Sequence, residues 1–234
     1  MGTPKEALDW HGSTLLRRVT GILARSVSPG PVVVVSAPGQ RLPTLPVSVN
    51  VVSDDRPDRG PLQGLAAGLG AVAGRADVAY VSSVDVPLLH PAFVRTVTAS
   101  ALAADVDAVV PELAGRRHPL AAAYRVSVLQ TVNQLLAEDR LAMHALLERC
   151  RVRVLVGAEL PAPQSLTNLN EPDDYERALR FPAPSITVNG SATRAWRLGD
   201  VLADAVTAPV RLNDEPVDPD PDLPLVAGDA VGFA

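Results

Sequence analysis

A chain of 234 residues with 47% hydrophobic side chains has enough apolar material for one full domain and a small appendage. A net charge of -5 argues against non-specific nucleic-acid binding, and no apolar run approaches the roughly 18 residues of a membrane span. A single cysteine, Cys150, excludes an intramolecular disulfide and a cysteine zinc cluster, and the N-terminus lacks a signal-peptide pattern, so a cytoplasmic protein is expected.

Ser13 stands where it can cap a helix whose apolar residues Leu15, Leu16, Val19, Ile22 and Leu23 recur at helical spacing. Ser28-Pro29-Gly30-Pro31 ends it. Val32–Val35 is an unbroken β-branched run, the pattern of a strand covered on both faces, and Val47–Val52 reads as a second strand. Pro61–Val72 reads as a helix, with Pro61 in the first turn, where its missing N–H costs nothing. Val78–Val84 is the next strand, Pro91–Ala103 a helix and Asp107–Val110 a short strand. Leu120–Tyr124 reads as a strand, Val126–Leu136 and Leu141–Leu147 as helices, Arg151–Val156 as a strand and Glu171–Leu179 as a helix. Strands alternating with helices imply an α/β fold, a mostly parallel sheet with helices on both faces. Residues 1–180 form the expected main domain. Phe181-Pro182-Ala183-Pro184 has the composition of a linker, and residues 185–234 the look of a small β-rich unit. In that unit Ser185–Val188 and Val210–Leu212 are short apolar runs around an expected helix at Leu198–Val206.

In open α/β sheets ligands bind beyond the carboxyl ends of the strands. Asp54 and Asp85 each follow a strand and are expected to face one crevice. A lone carboxylate such as Asp85 suits Mg²⁺, which takes one or two carboxylates and fills its shell with phosphate and water oxygens. Asp85 equally suits a cap on the helix after Pro87. Asp54 suits hydrogen bonds from a purine base, or a solvated turn beside Asp55 and Asp58. Gly60 and Gly64 flank Pro61 at a helix start, where free N–H groups attract anions; close packing of that helix on the sheet explains the same glycines. Lys5 suits phosphate or a solvated terminus. His118-Pro119 suits an anionic ligand or a surface turn, and Asn168 and Asn170 suit a polar ligand or caps on the helix at Pro172.

Together these segments resemble one family. Met1-Gly2-Thr3-Pro4-Lys5 with Leu8-Asp9-Trp10-His11-Gly12, Gly60-Pro61-Leu62-Gln63-Gly64, Ser83-Val84-Asp85-Val86-Pro87, Arg117-His118-Pro119-Leu120 and Asn168-Leu169-Asn170-Glu171-Pro172-Asp173-Asp174 are similar, in order and spacing, to the motifs of the molybdenum cofactor guanylyltransferases, the MobA-like nucleotidyltransferases. The resemblance covers about residues 1–180. It implies a Rossmann-like three-layer fold and Mg²⁺-dependent transfer of GMP from GTP to molybdopterin, with release of pyrophosphate. It gives Lys5 the phosphates, Asp85 the metal, Asp54 the guanine, and Gly60 and Gly64 the wall of the nucleotide pocket. Ser36 falls on the base side, while His118, Pro119, Asn168 and Asn170 fall on the molybdopterin side. A molybdoenzyme or another cofactor-assembly protein is the implied further partner.

The family pattern also holds a strand and a Leu-Ala-Gly-Gly-x-Ser-x-Arg loop directly before the Met-Gly element. Both lie ahead of Met1, so Met1 is expected to be an internal methionine of a longer protein. Residues 1–234 alone are expected to bind GTP weakly and to leave two strand edges unpaired. Two rivals stand beside the guanylyltransferase: a cytidylyltransferase of the same fold, and a non-catalytic protein that binds molybdopterin or a partner. The segments Ile186-Thr187-Val188-Asn189-Gly190, Val210–Val217 and Pro224–Val231 resemble a ubiquitin-like sulfur carrier, the small subunit of molybdopterin synthase. Such carriers end on Gly-Gly. Gly232-Phe233-Ala234 departs from that, so a degenerate β-grasp unit without sulfur transfer is expected.

Overall fold

The computed structural model describes residues 4–54, 56, 59–202 and 209–233. After a 3-10 turn at Lys5–Ala7 comes a small antiparallel pair, β1 (Asp9–Trp10) and β2 (Ser13–Thr14), then α1 (Leu15–Val27), β3 (Val32–Ser36) and β4 (Val49–Ser53). Next are α2 (Gly60–Val72), β5 (Val78–Ser82), α3 (Pro91–Ala103), β6 (Ala108–Leu113), β7 (Arg116–Arg117) and β8 (Ala121–Arg125). The first unit closes with α4 (Leu129–Ala137), α5 (Met143–Arg149), β9 (Val152–Val156) and α6 (Pro172–Leu179). Thr14, not Ser13, caps α1: its hydroxyl accepts the Arg17 N–H at 3.3 Å, because Ser13 is already paired with Trp10 in the small sheet. The span expected as one helix from Val126 begins as a 3-10 turn, Val126–Val128, before α4.

β5, β6 and β9 run the same way, and β8 lies reversed between β5 and β6. The main strands are mostly parallel, as expected, with β8 and the two-residue β7 running against them. Alternation along the strands sends side chains to two cores. Val109, Ala121 and Ala123 face α3 and α1, packing on Phe93, Val94, Val97 and Ile22. Ala108, Val110, Ala122 and Tyr124 face α2, α4 and α5, packing on Leu62, Leu69, Val132, Leu135 and Leu146. Helices cover both faces, giving three layers.

The sheet is split. Among the described residues β3 pairs only with β4, in parallel, and β5 only with β8. Between their free edges lies an apolar slot of about 720 Å³, lined by Val32–Val35 and residues 78–84 and bounded by α1 and α2. This is where the expected unpaired edges fall.

β10 (Ser185–Val188), β11 (Ser191–Arg194), β12 (Val210–Leu212), β13 (Glu215–Val217) and β14 (Ala230–Phe233) form a second sheet in the order β11-β10-β14-β12-β13. β10 and β14, the first and last strands, are parallel neighbours at its centre, the order of a β-grasp sheet. Its own core holds Ile186, Leu198, Val210, Leu212, Leu225 and Val231. The helix expected at Leu198–Val206 is a 3-10 turn at Leu198–Asp200, and residues 203–206 of that span lie outside the described residues. None of the described helices is long and apolar enough to cross a membrane.

Candidate nucleotide site

Three sequence-predicted residues meet just past the carboxyl end of β5. Asp85 is 8% exposed. Its Oδ2 accepts from the Lys5 ammonium at 2.9 Å, and its Oδ1 accepts from the Asn168 amide at 3.3 Å. The Asp85 carbonyl accepts the Leu169 N–H at 2.9 Å, so backbone as well as side chain joins these two segments. Lys5 and Asn168 stand 80 and 83 residues from Asp85 along the chain. An apolar cluster beneath the site brings them together: Trp10 and Leu8 follow Lys5, Val84 and Leu88 flank Asp85, and Leu169 follows Asn168. The Tyr175 hydroxyl adds a hydrogen bond to the Asp9 carbonyl at 2.5 Å.

A second group sits at the carboxyl ends of β3 and β4. Ser36 is in register with Ser53, and the Asp54 N–H donates to the Ser36 carbonyl at 2.8 Å. The Asp54 carboxylate accepts the Arg56 N–H at 3.1 Å, a local turn contact that leaves acceptor capacity on a half-buried side chain. The loop after β3 is tied to the Lys5 turn, because the Gln40 amide donates to Glu6 at 2.5 Å.

Gly60 opens α2 with φ +67°, a conformation that L side chains avoid. A Cβ at Gly60 or at Gly64 would meet nothing within 4 Å. Tight helix packing therefore does not explain these glycines; Gly64 instead borders the slot.

His118 and Pro119 lie between β7 and β8, and the neighbouring Leu120 carbonyl accepts the Ser83 N–H at 3.1 Å, which puts them on the rim that carries Asp85. Burial, and then the charge of Arg116, holds the His118 imidazole below its usual range. No contact joins His118 to Lys5 or Asp85. Asn168 and Asn170 do not cap α6 with their side chains. That role falls to Glu171 and Asp174, whose carboxylate accepts the Asn170 and Glu171 N–H groups at 3.2 and 3.1 Å. Asn170 is exposed. Sequence reasoning misses Arg18, which is buried and hydrogen-bonded to the Pro87 carbonyl at 2.5 Å, two residues beyond Asp85. An arginine on an amphipathic helix carries no sequence signal for burial.

The donor set fits Mg²⁺ in one way. No three His, Cys, Asp or Glu side chains cluster among the described residues, so the protein offers one carboxylate, not a cage. Both Asp85 oxygens meet displaceable side-chain donors, as suits an ion that arrives with phosphate oxygens and water.

Residues 1–154 match the MobA-like NTP transferase domain. The chain is 36% identical over 173 residues to a protein of Mycobacterium tuberculosis named "Probable molybdenum cofactor guanylyltransferase", an alignment covering 73% of this chain and 82% of the relative. Two solved structures share the fold. Molybdopterin-guanine dinucleotide biosynthesis protein A from Archaeoglobus fulgidus superposes with a TM-score of 0.58 at 20% identity, over 76% of this chain and 89% of that one. The 2-C-methyl-D-erythritol 4-phosphate cytidylyltransferase of Thermus thermophilus does so with a TM-score of 0.56 at 19% identity, over 77% and 95%. With its split α/β sheet and its polar trio at the strand ends, the chain belongs to the MobA-like NTP transferase family.

Proposed function

We propose that this chain transfers GMP from GTP to the terminal phosphate of molybdopterin and releases pyrophosphate. The observation that carries the reading is the meeting of Lys5, Asp85 and Asn168 at the strand ends in a chain of this family. In the transfer, a phosphate oxygen of molybdopterin attacks the α-phosphorus of GTP. One new phosphoanhydride bond forms, the α–β bond breaks, and pyrophosphate leaves with its electron pair. The attacking oxygen belongs to the substrate, so no protein nucleophile is needed, and catalysis rests on alignment and charge neutralisation.

Mg²⁺ held by Asp85 would supply part of that neutralisation and orient the phosphates. Lys5, a point charge on a flexible stem, would pass from Asp85 to the triphosphate as the nucleotide enters. Asn168 fixes the Asp85 carboxylate and stands toward molybdopterin. Ser36 and Asp54 take the base side, and Gly60 and Gly64 leave room for the nucleotide at the start of α2. His118, Pro119 and Asn170 line the molybdopterin side, where the acceptor molybdoenzyme or an assembly partner would dock. The setting is cytoplasmic, where a single unpaired cysteine such as Cys150 stays reduced.

The test is product analysis after incubation with Mg²⁺, molybdopterin and an equimolar mixture of labelled GTP and CTP. A guanine dinucleotide product is expected. A cytosine product would move the chain to the cytidylyltransferases. Binding of molybdopterin without any product at saturating nucleotide would make it a binding protein.

A further inference from the structure

One face of α1 is turned away from the core and toward the second sheet. Arg18, Gly21 and Arg25 fall at helical spacing on that face, with Arg17 beside them, while Leu15, Val19 and Ile22 face inward. A Cβ on Gly21 would come within 2.6 Å of the Pro224 ring, so the helix and the C-terminal sheet touch where glycine stands. Arg25 donates to the Pro224 carbonyl and the Asp229 carboxylate, both at 2.6 Å. Arg17 pairs with Asp220 and Asp222 at 2.8 Å.

Arg18 lies between these two clasps and is only 4% exposed. Its guanidinium donates to three backbone carbonyls: Pro87 at 2.5 Å, Trp196 at 3.2 Å and Leu225 at 3.5 Å. It also sits 5.0 Å from the centre of the Trp196 ring. Two of the three carbonyls and the ring come from loops of the C-terminal unit; the third comes from the loop that carries Asp85. Trp196 in turn stacks on His11 at 4.5 Å and meets Trp10 edge-on at 5.3 Å, on the segment that follows Lys5. A buried guanidinium must find acceptors or cost several kcal/mol. Here the acceptors tie the C-terminal unit to the Asp85 loop, and the Trp196 ring ties it to the segment that follows Lys5.

We infer that Arg18 is a positioning residue for the Asp85 loop, and that the described residues of the C-terminal unit, 185–202 and 209–233, act as a built-in brace that keeps it buried against Pro87. The family match ends at residue 154, so this brace lies outside it. The metal-affinity arm of the test rests on the proposed function; the exchange arm does not.

The test uses the full chain and two variants. Arg18→Met removes the donors at similar length. Gly21→Ala raises helix propensity while forcing Pro224 away, so any loss it causes is not a weakened helix. Amide hydrogen exchange across residues 85–89 is expected to quicken about tenfold or more in both variants, ahead of any change in the central strands β6 and β9. The affinity of the GTP-loaded protein for Mn²⁺ is expected to fall by about tenfold, as when a group that orients a metal ligand is lost, with Asp85→Asn as the reference for complete loss. Unchanged exchange in residues 85–89 in either variant would overturn the brace. So would unchanged Mn²⁺ affinity where Asp85→Asn abolishes it. If the unsubstituted protein binds no Mn²⁺ even at saturating GTP, the functional reading fails, and the exchange data alone decide the brace.

Discussion

The molecule has two seams, and they are built in opposite ways. Between β3 and β5 the seam is apolar and open: two strand edges face a slot of about 720 Å³ and, among the described residues, are bridged only by helices. Between α1 and the C-terminal sheet it is polar and closed, with three arginines meeting carboxylates and carbonyls. A buried charge must find acceptors, which fixes the groups that meet across the polar seam; the apolar seam holds no such pairs, and its slot leaves room for change. Asp85 sits where the two meet. Val84 lines the slot, and the Pro87 carbonyl is gripped by Arg18.

The largest expected effect is at that meeting point. Asp85→Asn should lower turnover by about 10²- to 10³-fold, the scale of losing one preorganised electrostatic group. Thermal melting should change little, so steady-state rates paired with a melting curve separate the two roles.

At the polar seam, Arg25→Met leaves the Asp229 carboxylate buried without its cation and should cost about 3 kcal/mol. Urea unfolding measures it. A cost near zero would mean that the seam does not hold.

The apolar seam is sharpened by a pair of truncations. Leu155→Ala, in the continuous part of the sheet, should cost about 2 to 5 kcal/mol. Val33→Ala beside the slot should cost under about 1 kcal/mol, because its surroundings are already open. Equal costs would mean that the slot is closed in solution.

The smallest effect is a pH dependence. Burial, and then the charge of Arg18, lowers the His11 imidazole below its usual 6.5; burial and Arg116 do the same to His118. Below 6.5 the unfolded chain then binds more protons than the folded one. Stability should therefore fall as pH drops from 6.5 toward the lowered folded values, and be fully present above 6.5. Chemical denaturation of His11→Gln should give a flatter curve over that window.

Much of this was legible in the chain. The Val32–Val35 run, and Pro61, Pro91 and Pro172 in first turns, are local signals, and each marks an element found there. The direction of β8 was not legible, since Ala121–Tyr124 has no pattern that distinguishes parallel from antiparallel pairing. The trio at the site was half legible. Asp85 at a strand end is a positional signal, but the Asn168 amide bonding its carboxylate is a contact across 83 residues. The Arg18 stripe was hidden because cations on an amphipathic helix normally face water. What buries them is the C-terminal unit, whose Trp196 carbonyl lies 178 residues further along, and only the folded chain shows it.

The most direct test of the central claim is pyrophosphate release from GTP with and without molybdopterin, in the unsubstituted protein and in Asp85→Asn. The account predicts release that needs both substrates and Mg²⁺ and that is lost in the variant. Release that persists at full rate in Asp85→Asn, or that ignores molybdopterin, would contradict it.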